Sequence, residues 1–90
     1  MGVEARLVEV LENARPVPLT DQLRLDKLDV YELVAELREG ASPSPSLLGA
    51  AEAVEDAVRN AKPIPLTDQV RLPKVRVDEL IRGLRAAYET

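Results

Sequence analysis

Ninety residues with a formal charge of −4 make one small domain, or two half-domains that share a core. A chain of this size buries only roughly 60–65% of its unfolded surface. Cysteine and histidine are both absent. That excludes disulfides and thiolate or imidazole metal sites, and it removes the usual general base near neutral pH.

There is no Phe or Trp, and the two tyrosines are Tyr31 and Tyr88, so the core must be aliphatic. The charge is uneven: residues 1–45 hold nine acids and five bases, and residues 46–90 hold seven of each. No basic stripe of the kind used by nonspecific nucleic-acid binders is present. No apolar run approaches the ~20 residues that span a bilayer. The opening Met1-Gly2-Val3-Glu4 lacks the basic flank and apolar stretch of a signal peptide. The expectation is a cytoplasmic protein with no transmembrane segment.

In chain order, Val3, Leu7, Val10, Leu11 and Ala14 recur at helical spacing and predict a first helix. Arg15 suits the negative end of its dipole. Pro16 stops it by pushing the preceding residue out of the α region. Pro18 holds the backbone open, and Leu19-Thr20-Asp21-Gln22-Leu23-Arg24-Leu25 follows, alternating as a half-buried strand does. Asp26 is positioned as the N-cap of a helix over 27–39 with Val30, Leu33, Val34 and Leu37 as its buried stripe. Gly40 is its terminator. A Ser/Pro connector then runs through Ala41-Ser42-Pro43-Ser44-Pro45-Ser46, where Ser44 or Ser46 caps a third helix over 47–61.

From there the chain repeats itself. Pro16-Val17-Pro18-Leu19-Thr20-Asp21-Gln22 returns as Pro63-Ile64-Pro65-Leu66-Thr67-Asp68-Gln69, an offset of 47 that holds without gaps. Arg24-Leu25 matches Arg71-Leu72, and Val30, Glu32, Leu33, Leu37 and Arg38 match Val77, Glu79, Leu80, Leu84 and Arg85. Pro73 falls where a proline fits a first helical turn. The last helix carries the stripe Val77, Leu80, Ile81, Leu84 and Tyr88. The domain is therefore read as repeat one (1–41), a linker (42–46) and repeat two (47–90).

The fold class expected is mainly α. Two helix–strand–helix units, four helices in all, pack with pseudo-twofold symmetry around a short two-stranded antiparallel ribbon in which 20–25 pairs with 67–72. A lone strand exposes unpaired backbone groups, and its twin is the nearest partner. The competing arrangement is a plain four-helix assembly with both segments as extended connectors.

No residue set points to catalysis, a cofactor or a metal. Asp21 and Asp68 have only Thr and Gln beside them in the motif, where acid–base work needs a second titratable group. They read better, with Thr20 and Thr67, as acceptors for backbone donors in a turn. Glu4, Glu9, Glu12, Asp26, Asp29, Glu32, Glu36 and Glu39 form either an acidic docking face or an ordinary solvated one. The candidate interaction residues are Thr20, Gln22 and Arg24 with Thr67, Gln69 and Arg71. If the strands pair, these six polar side chains share one ribbon face. Such a ribbon can enter a DNA major groove, although the flanking helices lack Lys and Arg for phosphate contacts.

Two resemblances attach to these residues. Ala61-Lys62-Pro63-Ile64-Pro65-Leu66-Thr67-Asp68-Gln69-Val70-Arg71-Leu72, followed by Val77-Asp78-Glu79-Leu80-Ile81-Arg82-Gly83-Leu84-Arg85, resembles a short module of DivIVA-like cell-division and envelope-growth proteins of Gram-positive bacteria, especially actinobacteria. That likeness implies non-catalytic scaffolding. This chain has two modules and no long coiled coil, so what carries over is a protein-contact role. Gln69-Val70-Arg71-Leu72-Pro73 also resembles the DNA-reading strand of ribbon-helix-helix repressors, with Gln69 and Arg71 at reading positions. The function expected is a non-enzymatic interaction or scaffold module binding a protein or a second copy of itself. The alternative is a ribbon-type DNA-binding regulator.

Overall fold

The computed structural model describes residues 2–40 and 44–89. Ala41, Ser42 and Pro43 of the connector lie outside the described residues, as does the side chain of Glu4 from the acidic set. In chain order the elements are α1 (Val3–Glu12), β1 (Arg15–Pro16), β2 (Gln22–Asp26), α2 (Lys27–Glu39), α3 (Pro45–Arg59), β3 (Lys62–Pro63), β4 (Gln69–Pro73) and α4 (Lys74–Glu89). No helix among the described residues is long and apolar enough to cross a membrane.

The two central segments pair antiparallel, as the alternation and the duplication predict, over 22–26 and 69–73. The sheet has four strands in the order β1-β2-β4-β3, all antiparallel, and not two. The fold thus combines four helices with a real sheet, which corrects the mainly-α reading. β1 and β3 are two residues long, too short to show a period. Each ends on a proline, Pro16 or Pro63, which lacks the N–H needed to pair further strands.

The register encodes the symmetry. Arg24 stands opposite Arg71, Leu23 opposite Leu72 and Leu25 opposite Val70, so the pseudo-twofold passes between the two arginines. Leu25, Val70 and Leu72 are buried on one face of the ribbon. The helices touch in a closed ring, α1 to α2 to α3 to α4 and back to α1. They enclose Leu7, Leu11, Val30, Val34, Val54, Val58, Val77 and Leu84.

Helix boundaries follow local chemistry. The Asp26 carboxylate accepts from the Leu28 and Asp29 amides at 2.8 and 3.4 Å, as an N-cap does. Ser44 caps α3 through the Leu47 amide at 3.1 Å. Pro45 fills the first helical position, so α3 starts inside the expected linker. Gly40 ends α2 in an extended conformation. A Cβ there would lie 3.2 Å from the Glu36 carbonyl, which favours glycine.

Two expectations shift. Pro73 closes β4, one residue ahead of α4, and does not sit in the helix's first turn. Tyr88 is exposed, because the buried stripe of α4 ends at Leu84.

Candidate interaction site

Each repeat carries one hairpin, and the two are built on the same bonds. In the first, the Val17 amide donates to the Gln22 carbonyl at 2.9 Å and the Thr20 amide to the Val17 carbonyl at 3.2 Å. The Thr20 hydroxyl donates to Val17 O at 2.8 Å and accepts from the Gln22 amide at 3.1 Å. In the second, Ile64, Thr67 and Gln69 repeat every contact at matching lengths. The threonines therefore act within their own turns, as the local reading had it, and lie in the loops outside the paired strands.

The residue after each proline has left-handed backbone, with φ of 64° at Leu19 and 65° at Leu66. Proline at the second position and positive φ at the third is the type II turn pattern, whose third position ordinarily takes Gly or Asn. Both leucines are fully exposed. The sequence did carry a signal for them: an apolar residue placed directly after proline in both copies, where the turn has nothing for it to pack on.

The repeats are then stitched to each other. The Lys27 amide donates to the Asp68 carbonyl at 2.9 Å, and the Lys74 amide to the Asp21 carbonyl at 2.8 Å. Both aspartates thus serve through their main chain. These bonds set the start of each helix beside the hairpin of the other repeat. Leu28 follows Lys27 at the first of these joints, and Val75 follows Lys74 at the second. Leu28 and Val75 are exposed, as are Leu19 and Leu66.

The remaining candidates meet at the ribbon centre. Gln22, Arg24, Gln69 and Arg71 are all half-buried. Two like charges stand directly opposite at Arg24 and Arg71, an unfavourable arrangement. It is relieved unequally: Arg24 Nε donates to Gln69 Oε1 at 2.5 Å, while the twin acceptor, Gln22 Oε1, is buried with no partner among the described residues.

Each end of the ribbon opens into a cleft, and the two clefts are lined by largely equivalent positions. The first, about 480 Å³, sets carboxylates of Glu9, Asp26, Asp29 and Glu32 against Arg6, Arg15 and Arg24. The second, about 410 Å³, sets Lys62, Arg71 and Arg76 against Asp56 alone. Among the described residues no group of three or more carboxylates is placed to hold a metal ion.

One further cluster went unread in the sequence. Glu55 on α3 is buried and accepts from Arg38 of α2 at 2.9 and 3.2 Å and from Arg59 at 3.1 Å. The Arg38 hydrogen bonds hold its carboxyl below the ordinary carboxylate range, against the opposing effect of burial. At the equivalent interface between α1 and α4, Arg85, the twin of Arg38, pairs instead with the exposed Glu12, and Val8 stands at the place of Glu55.

No family model, no curated protein and no solved structure matches this chain.

Proposed function

We propose that this chain is a non-catalytic protein-interaction module that presents the same contact point twice, once on each hairpin. The observation that carries the reading is the pair Leu19 and Leu66, fully exposed and held at positive φ. Left-handed backbone costs a side-chain-bearing residue about 1–2 kcal/mol. Glycine or asparagine in these turns would remove that cost. A leucine kept there in both copies adds nothing to the fold, and strain without a structural return marks a contact residue. Proline on one side and the threonine bonds on the other fix each leucine in place, so an apolar anchor is offered with little entropy left to lose. Leu28 and Val75, at the starts of α2 and α4, are further exposed apolar residues.

The likeness to the DivIVA-type module agrees with this reading, and it adds division or envelope growth in bacteria as the setting proposed. The ribbon-type DNA reading has less support. Arg24 is engaged by Gln69, and the Thr20 and Thr67 hydroxyls are engaged in their own turns.

The test compares wild type with a Leu19→Asn, Leu66→Asn double variant. Proteins captured on the immobilised wild-type chain from cells that express it are purified and titrated against both forms. The expected result is at least about tenfold weaker binding to the variant, from two lost leucine contacts. Undiminished binding overturns the proposal. So does a salt-sensitive complex with mixed duplex DNA that an Arg24→Ala, Arg71→Ala variant loses.

A further inference from the structure

The two clefts occupy equivalent places and differ in charge through a few substitutions between the repeats. Asp26 and Asp29 of the first correspond to Pro73 and Arg76 of the second, and Arg15 corresponds to Lys62. In the first cleft the cations are largely answered: Arg6 pairs with Glu36 at 3.4 Å and Arg24 with Gln69. In the second, Lys62, Arg71 and Arg76 have no ion pair or side-chain hydrogen bond among the described residues. The one carboxylate there, Asp56, is already held by Arg59 at 3.3 Å.

Gln22, whose Oε1 is buried with no partner among the described residues, is one of the residues that line this same cleft. A buried acceptor without a donor is destabilising, and that loss is recovered when a donor arrives. The twin site shows the kind of group required, since Gln69 Oε1 takes an N–H. A matching ligand therefore carries negative charge and an N–H donor together. A phosphodiester backbone offers acceptors only. A short run of Asp or Glu in an extended peptide has both parts.

We propose that the second cleft binds an acidic peptide segment, its carboxylates on Lys62, Arg71 and Arg76 and a backbone N–H on Gln22. Arginine suits carboxylates through paired, parallel N–H donors. Neither Leu19 nor Leu66 lines the site, and it extends the interaction reading by naming the chemistry of the partner.

The experiment is an anisotropy titration of a fluorescein-labelled Gly-Glu-Glu-Glu-Glu-Gly peptide with the full chain at low salt. Wild type is expected to bind, and the exposed pair Lys62→Ala, Arg76→Ala to bind about tenfold more weakly or less. Gln22→Leu is expected to weaken binding by about fivefold in a manner that added salt does not change. Arg15→Ala, in the first cleft, and the Leu19→Asn, Leu66→Asn variant are expected to bind as wild type. A loss in Arg15→Ala equal to that in the Lys62, Arg76 pair overturns the proposal, as does no binding at low salt. Displacement of the peptide by inorganic phosphate beyond that of chloride at matched ionic strength also overturns it, in favour of a small-anion site. A concentration-dependent dimer in light scattering that the peptide dissolves supports the site, with the acidic segment then supplied by a second copy.

Discussion

The first and second repeats hold their hairpins with the same bonds, down to the 2.8 Å contacts from Thr20 to Val17 and from Thr67 to Ile64. The helices behind those hairpins carry different charge. Where repeat one has Asp26 capping α2 and Asp29 in its first turn, repeat two has Pro73 and Arg76. The contrast separates two kinds of position. Those that build the turn, the cross-repeat stitches and the buried stripe are held in common, because either half fails to close without them. Those that face the clefts have parted, which makes a symmetric skeleton with two unlike ends.

The symmetric part is tested at the core. Leu37 and Leu84 are equivalent positions on α2 and α4, both buried, and Leu84 is fully enclosed. Alanine at either is expected to cost about 2–5 kcal/mol in urea unfolding, with Leu84 at the upper end. For a domain whose whole stability is roughly 5–13 kcal/mol, that is a large fraction. A heavy loss at one site with almost none at the other would mean that the halves do not share a single core.

Much of this architecture was legible because the duplication restricts it. Alternation at Leu23 and Leu25 gives a strand, and the copy 47 residues later gives its partner. The outer strands escaped because two residues ending in proline, Arg15–Pro16 and Lys62–Pro63, carry no period. Lone polar residues were harder to place. Thr20 and Thr67 read both as turn residues and as part of the ribbon face, and their hydroxyls close turns. Glu55 lies on a helix whose sequence shows only ordinary charge, and its burial depends on Arg38 arriving from α2. The leucine tips were missed because a period of two describes strands and is silent about left-handed turns.

The next largest contrast is between the two inter-repeat helix contacts. Glu55→Gln removes a buried carboxylate with charged partners and is expected to cost about 1–2 kcal/mol at neutral pH, since Arg38 and Arg59 are themselves partly solvated. Loss of the exposed Glu12–Arg85 pair at the other inter-repeat contact, tested by Glu12→Gln, is expected to cost less than about 1 kcal/mol. The pH dependence sharpens the assignment. A carboxyl held below its ordinary value of 4.5 contributes fully above that value, and its contribution is lost as pH falls through the depressed one. The gap between wild type and Glu55→Gln is therefore expected to be full above that value, to shrink as pH falls through the depressed one and to vanish below it. A gap independent of pH would assign the loss to packing.

Helix starts give a smaller difference. Asp26→Ala leaves the Leu28 and Asp29 amides without their acceptor and is expected to cost about 1 kcal/mol in thermal unfolding. Pro73→Ala, at the uncapped twin, removes only the stiffness of a proline and is expected to cost about 0.5 kcal/mol. Equal losses would show that the cap adds nothing beyond backbone restriction.

The smallest expected effect has the opposite sign. Leu19→Asn and Leu66→Asn each replace a residue that resists left-handed backbone with one that tolerates it. Neither leucine is packed, so nothing is lost to set against that gain. Each change is expected to stabilise by about 0.5–1 kcal/mol, equally in the two repeats, and the double variant by the sum, since the sites share no side-chain partner. Destabilisation at either site would reveal packing around that leucine and would restore a structural reason for its presence. Stabilisation of both, with partner binding lost, is the result that ties the strain to function, because it shows that stability is forgone to keep an apolar side chain in water.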